Sequence, residues 1–251
     1  MKKLILLPFL ATVLMMTSCK TNKKNAASST QTTSKMEESI QEADKWISMS
    51  KGACYGTCPI YTMTIHKNGL TKFSGKRFCA MLGPHIAQLS SEQMTSLEQH
   101  IAEIQVEELP EKFESMIADL PSTEITFYEK DGTSRSVWWN MNAPEKLVSL
   151  STLMDSYRGE LNWKIDNDAP LPEGAIGNQL LIYLNIGVSA SEFAKQYSEY
   201  NLIPKKEVEP TQNYWLFEFD KNKIPPYEMF NLISKSKKTQ NVRFNMKVSE
   251  R

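Results

Sequence analysis

The sequence predicts an α+β protein in two domains, an antiparallel sheet with packed helices followed by a smaller βαββαβ block. Three observations predict it. Strand-period and helix-period runs follow one another without the strict alternation of a parallel sheet in the first block. Asn-Gly and Asp-Gly dipeptides punctuate its β-rich runs as hairpin turns. A stretch holding Pro, Gly and Asp without any period, residues 166–177 (DNDAPLPEGAIG), then separates two different patterns. The chain has 251 residues, 41% hydrophobic and 10% aromatic, which is enough apolar material for real cores and excludes a wholly disordered polymer. Its 29 Lys+Arg against 29 Asp+Glu give a formal net charge of +0, so charge offers no ground for a nucleic-acid partner or a polybasic membrane contact.

The first element is a targeting segment. Lys2 and Lys3 precede an apolar run at residues 4–16, which falls short of the roughly 20 residues a membrane span needs. Met16-Thr17-Ser18-Cys19 closes that run and resembles a bacterial lipobox, in which the Cys sulfur is lipidated and becomes the mature N-terminus. Residues 1–18 therefore read as a lipoprotein signal peptide and Cys19 as the lipidation site. Several acyl chains at about 0.8 kcal/mol per buried CH₂ would hold the protein on a bilayer. Loss of Lys2 and Lys3 leaves the mature protein slightly acidic. Residues 19–39 are the lipidated Cys and a flexible tether, polar and rich in Ser, Thr, Lys and Asn. Lys20, Lys23 and Lys24 stand where acidic surface-export residues would stand, which places the protein on the periplasmic face of the outer membrane.

Residues 40–165 form the Cys-containing domain. Residues 46–50 are a strand, 52–59 a Cys-bearing loop, and residues 60–66 and 70–74 flank Lys67-Asn68-Gly69 as a hairpin. Ser90 with Gln93 makes a capping box, and Met94, Leu97, Ile101 and Ile104 give the following helix one apolar face. Residues 123–129 and 134–140 make a second hairpin around Asp131-Gly132. A second helix starts at Pro144 and carries Leu147, Leu150, Leu153 and Tyr157 inward.

Residues 178–251 form the second domain. A nearly continuous apolar strand at 179–185 leads to Ser189 and Glu192, another capping box, before a helix. Residues 203–208 and 214–220 are strands, the latter with Trp215, Phe217 and Phe219 on one face. Pro225-Pro226 opens a helix, and Val242, Phe244, Met246 and Val248 alternate in a last strand. The order β-α-β-β-α-β is the ferredoxin-like pattern.

Cys54, Cys58 and Cys79 remain once Cys19 is lipidated, and an oxidising envelope makes disulfides the first reading. Three residues separate Cys54 from Cys58 where a thioredoxin-type motif has two, and Pro59 leads into a strand and not a helix, so a redox catalyst is disfavoured. Spacing allows Cys54–Cys58. A two-residue Asn68-Gly69 turn would instead put Cys58 across from Cys79, provided no bulge falls at Gly75. His66, His85 and His100 read as surface or partly buried, His85 in a loop, because no spacing assembles a metal site. No cofactor is expected. Trp138-Trp139 puts one indole on each strand face, one in the core and one at the surface, so that Trp138 and Trp139 are both candidates for the exposed contact residue. No nucleophile-base constellation appears, so the protein is not read as an enzyme.

Cys54-Tyr-Gly-Thr-Cys58-Pro59-Ile-Tyr61, Asn68-Gly69, Gly75-Lys76-Arg77-Phe78, Gly83-x-His85 and Asp119-Leu120-Pro121-Ser122 together resemble a family of bacterial envelope lipoproteins. That family is a domain of unknown function marked by Cys-x-x-x-Cys-Pro-x-Tyr. The resemblance spans about residues 45–160; it implies the Cys54–Cys58 pair and leaves Cys79 as an extra thiol. Residues 180–194, 214–220 and 242–245 are similar to the prodomain of subtilisin-like proteases, which implies a ferredoxin-like fold and a protease-regulatory role. The leading expectation is a lipid-anchored envelope protein with a non-catalytic binding or scaffolding role, its partners the membrane and an envelope protein. A protease-regulatory module is the alternative, and a thiol- or metal-handling protein is a third.

Overall fold

Backbone polar groups and apolar side chains are satisfied by two sheets, antiparallel except for one short parallel edge strand in the first, and, among the described residues, four α-helices. The structure is a computed structural model that describes residues 44–117 and 119–247. The signal peptide, Cys19, the tether and Val248 lie outside those residues. The class is mixed α+β, mostly strand.

The first sheet contains β1 (Lys45–Lys51), β2 (Ile60–His66), β3 (Leu70–Arg77), β4 (Gly83–Gln88), β5 (Lys112–Phe113), β6 (Thr123–Tyr128), β7 (Ser134–Trp139) and β8 (Lys164–Ile165), in the order β5-β7-β6-β1-β2-β3-β4-β8. Period-2 alternation sends Ile47, Met49, Tyr61, Met63, Ile65, Phe73, Ile125, Phe127, Val137 and Trp139 to one face. There they meet Leu97 of α1 (Ser91–Ala102) and Leu147, Leu150, Met154 and Tyr157 of α2 (Glu145–Glu160). Helix α1 starts as expected, with Ser90 and Gln93 forming both halves of the capping box. The alternate residues of the same strands, among them Ser50, Thr62, Thr126 and Ser136, point to the other face, where Ser50 bonds Thr62 at 3.2 Å and Thr126 bonds Ser136 at 2.8 Å.

Two expectations change at the first hairpin. Ile65 pairs with Thr71, so the connection is a three-residue loop, Lys67-Asn68-Gly69, with Gly69 left-handed at φ +81. The register shifts again between Ile60 and Tyr61, opposite Lys76, so the β-bulge beside Gly75 is present. The chain after β3 folds back so closely that a Cβ on Gly75 would lie 1.9 Å from the Met81 carbonyl oxygen. His85 is not in a loop. It belongs to β4, opposite Phe73, in a strand disguised in the sequence by its opening Gly83-Pro84.

The second sheet contains β9 (Ala175–Leu184), β10 (Ile203–Glu209), β11 (Tyr214–Glu218) and β12 (Thr239–Met246), ordered β10-β11-β9-β12 and antiparallel throughout. Strand β9 starts at Ala175, inside the stretch read as linker, because Ala175 pairs with Met246. Helices α3 (Ala190–Lys195) and α4 (Pro226–Ser234) cover one face through Phe193, Met229 and Ile233, which pack on Leu180, Ile182, Phe217 and Phe244. Each sheet thus has its own apolar cluster, while both belong to one compact unit. Asp166 N–H donates to the Pro84 carbonyl at 3.1 Å, and Asn167 donates to Glu228 at 2.7 Å. The Tyr227 ring lies over Gly83. Among the described residues no helix is long and apolar enough to cross a membrane.

Candidate functional site

The loop from β1 to β2 carries the cysteines. Cys54 and Cys58 are joined in a disulfide with Cα atoms 5.8 Å apart. The segment around Asp119–Ser122 braces that loop: Gly52 N–H donates to the Ser122 carbonyl at 2.9 Å and Tyr55 N–H to the Asp119 carbonyl at 3.1 Å. The alternative Cys58–Cys79 pair is not formed. Cys58 closes on its own loop, and the pairing of β2 with β3 ends at Ile60 and Arg77, before Cys58 and Cys79 are reached. The Cys79 thiol instead lies 3.2 Å from the Ile60 carbonyl and 3.3 Å from that of Arg77. Burial pushes this thiol up, against Arg158 and the nearby backbone groups, which does not favour a reactive thiolate.

Two residues beyond Pro59, Tyr61 turns inward and is 2% exposed. Its hydroxyl donates to Asp155 on α2. Arg158, one turn on, grips the same carboxylate with two hydrogen bonds of 2.7 and 3.1 Å. Its guanidinium also lies 4.9 Å from the centre of the Tyr61 ring. Burial tends to raise the Asp155 pKa, but Tyr61, Arg158 and Lys51 together hold it below the ordinary value. The Tyr61 phenol is pushed far up by burial and by that carboxylate, so it stays a hydrogen-bond donor. Lys51 sits directly across from both Tyr61 and Thr123 and donates to Thr123 Oγ1 at 3.0 Å. Burial lowers its pKa, Asp155 opposes that shift, and Arg158 adds to it.

A cleft of about 240 Å³ opens beside this brace, on the face of the first sheet opposite α1 and α2. Ser50, Lys51, Thr62, Lys76, Glu124 and Trp138 line it. Glu124 and Trp138 are register partners on β6 and β7. Lys112 of β5 holds its ammonium 4.8 Å from the centre of the Trp138 ring. The two tryptophans do take opposite faces: Trp139 is 8% exposed in the core, whereas Trp138 is half-buried at the cleft. Trp139 is thus the core member of the pair, and Trp138 is the one left as a candidate contact residue.

The histidines do not converge. His66 ends β2, His85 lies in β4 and His100 in α1, and His66 and His85 are buried, against the expectation of surface or partly buried positions. His85, paired with Phe73, shares the inward face, with α4 packed beside β4. Among the described residues no group of three or more His, Cys, Asp or Glu could hold a metal ion. The Asp155–Arg158 pair escaped sequence reasoning because an i, i+3 ion pair reads as ordinary helix surface; the available signal was Tyr61, an aromatic with a polar tip at an inward strand position.

No curated protein matches the chain. Residues 45–158 match the family model of DUF6438, a domain of unknown function, and this span carries the disulfide, the Tyr61–Asp155–Arg158 brace and every residue of the cleft.

Proposed function

We propose that the protein is a lipid-anchored component of a bacterial envelope, held through Cys19 on the periplasmic face of the outer membrane, with a non-catalytic binding or scaffolding role. The observation that carries this reading is the cleft at Trp138. It lies on a polar sheet face opposite the helices, and a disulfide and a half-buried hydrogen-bonded ion pair stiffen the strands beneath it. Rigid placement of a half-buried aromatic among fixed polar groups favours recognition. No nucleophile-base pair accompanies it, and Lys51 is engaged by Thr123. The test is capture from solubilised envelope by the wild-type protein and by Trp138→Ala. Loss of a specific captured component in the variant supports the reading, and identical capture refutes it. For the anchor, Cys19→Ala should move the protein from the membrane to the soluble fraction.

The second reading is a ferredoxin-like module that regulates a subtilisin-like protease. It is supported by the strand order β10-β11-β9-β12 on a βαββαβ succession. The sheet face away from α3 and α4 carries Tyr183 stacked on Tyr214 at 3.7 Å, with Arg243 Nε donating to the Tyr214 hydroxyl at 2.7 Å. An aromatic and arginine patch suits protein contact. Failure of the full-length protein to slow a subtilisin-like protease at micromolar concentration would count against it.

A further inference from the structure

We propose that the disulfide-bearing end of the first sheet is a membrane contact in its own right, a set of loop tips that seats on a bilayer surface. Antiparallel order brings three connections to this end: residues 52–59 between β1 and β2, 78–82 between β3 and β4, and 114–122 before β6. They adjoin one another. Tyr55 N–H donates to the Asp119 carbonyl at 3.1 Å, and Ile60, two residues after Cys58, pairs with Arg77, next to Phe78. Together they hold out four large apolar side chains, Tyr55, Phe78, Met116 and Ile117, with Tyr55 90% exposed and Met116 wholly so. Single exposed apolar residues are ordinary, but four on adjoining loops mark a contact surface. The backbone fixes them. The Cys54–Cys58 bond brackets Tyr55, Ser115 N–H donates to Asn140 Oδ1 at 2.7 Å, and Ile117 N–H donates to Ser115 Oγ at 3.0 Å. Phe78 is held at φ 55, where a bulky residue is an outlier, so the turn and not its own preference sets its direction. Tips presented in this order lose little backbone freedom on docking.

Shape, charge and reach favour a bilayer as the occupant. The four side chains project, and none of them lines the cleft beside this end. A rigid partner would have to supply a hole for each, whereas a fluid acyl boundary closes around them, and a tyrosine tip suits the interface. The cations here, Lys76, Arg77 and Lys112, are nearly offset by Glu114, which pairs with Lys112 at 2.8 Å, and by Asp119. The contact is therefore apolar and does not require anionic lipid. The chain enters β1 at the opposite end, where the Asp44 carbonyl accepts from Lys67 N–H at 2.9 Å. The seven residues of β1 cover about 23 Å, while residues 20–43 reach at most about 80 Å. The tips can thus meet the same bilayer that would hold Cys19, yet their affinity does not depend on that anchor.

The experiment uses residues 19–251 with Cys19→Ala, which keeps the whole compact unit and removes both acyl chains and the apolar run at 4–16. Its sedimentation with phosphatidylcholine vesicles, with and without phosphatidylglycerol, is the readout. Binding should appear at millimolar lipid, weak as a single-signal contact is, and should change little with phosphatidylglycerol or salt. Tyr55→Ser and Met116→Ser should each weaken it by about fivefold, and the pair by about twentyfold or more, with little change in Tm. Ile186→Ser, at an exposed apolar residue on the second sheet's β9–α3 loop, should leave it unchanged. Absence of binding at millimolar lipid overturns the proposal, as do tip variants that bind like the parent or an equal loss from Ile186→Ser. Binding that requires phosphatidylglycerol would make the contact electrostatic and also overturns it. If envelope capture depends on Tyr55 and Met116 while vesicles are not bound, the tips contact a protein and the bilayer falls. The Cys19 anchor and the Trp138 cleft are read separately, by fractionation and by capture, so either can fail while the tips bind.

Discussion

Tyr61→Phe and Asp155→Ala break the same hydrogen bond, yet they should destabilise the protein by different amounts. Tyr61→Phe keeps the ring, which packs 5.1 Å from Phe73 and 4.9 Å from the Arg158 guanidinium. It removes one donor from a carboxylate whose side chain is 37% exposed and still bonded twice to Arg158. Water can replace the lost donor, so the cost is about 1 kcal/mol, at or below the usual range for a bond to a charged group. Asp155→Ala strands the other end. The Tyr61 hydroxyl is on a residue only 2% exposed, and an unsatisfied buried donor adds roughly 1–3 kcal/mol to the lost bond. Arg158, at 30% exposure, rehydrates at small cost. Asp155→Ala should therefore cost about 2–4 kcal/mol, and the double variant less than the two single costs added together.

Urea unfolding of the four proteins at neutral pH measures this. Acid supplies an independent arm. The folded Asp155 pKa lies below its ordinary 3.8, so its contribution is present above that value and is lost as the pH falls through the folded pKa. The gap between wild type and Asp155→Ala should close over that interval. Tyr61→Phe costing as much as Asp155→Ala, or single costs that add, would show that the hydroxyl and carboxylate do not work as one unit.

Three further outcomes follow from the same geometry. Replacing both Cys54 and Cys58 by Ser opens a loop of sequence separation 4, worth about 2 kcal/mol by loop-closure entropy; an unchanged urea midpoint would contradict that. Gly75→Ala places a methyl where the Met81 carbonyl oxygen already sits, so it should destabilise by about 1–3 kcal/mol, and a neutral result would mean that the strand-to-loop approach relaxes freely. Burial lowers the His85 pKa below 6.5 with help from Lys235 and against the Gly83 carbonyl, so the unfolded chain binds a proton first and stability falls as pH drops from 6.5 through the folded pKa. His85→Gln should flatten that fall; an unaltered slope would assign it to other groups.

Legibility in the sequence followed element length and local chemistry. Strands β1, β2, β6 and β7 run for six or seven residues, long enough for period 2 to stand out, and Ser90-x-x-Gln93 marks a helix start by a local bond. Strands β5 and β8 have two residues each and no period to read. Strand β4 opens with Gly83-Pro84, residues that in sequence signal a turn; its pairing to β3 is decided by tertiary context. The turn at Asn68-Gly69 was visible, but whether two or three residues formed it was not, and the bulge at Lys76 then shifts the register back so that Ile60 faces Arg77. Trp138 and Trp139 separated to opposite faces as alternation requires. The partner of Tyr61 was invisible because Asp155 is 94 residues away.

The frame and the cleft are drawn from the same strands by alternation, and this makes them separable. Tyr61 and Ile125 point into the core, while Thr62 and Glu124 point to the cleft; Val137 is buried at 0%, and Trp138 beside it is half-exposed. A substitution at Thr62, Glu124 or Trp138 alters the rim without touching the closed apolar cluster, so it should cost little stability. A substitution at Tyr61 or at a cysteine alters the support without changing any rim group. Cys54, Cys58 and Tyr61, which carry the motif of the resemblance, all belong to the support. The motif thus describes how the cleft is held, and the proposed binding role rests on rim residues that the motif does not include. Rim variants of normal stability and support variants of reduced stability but unchanged rim chemistry would separate the two contributions in a single binding series.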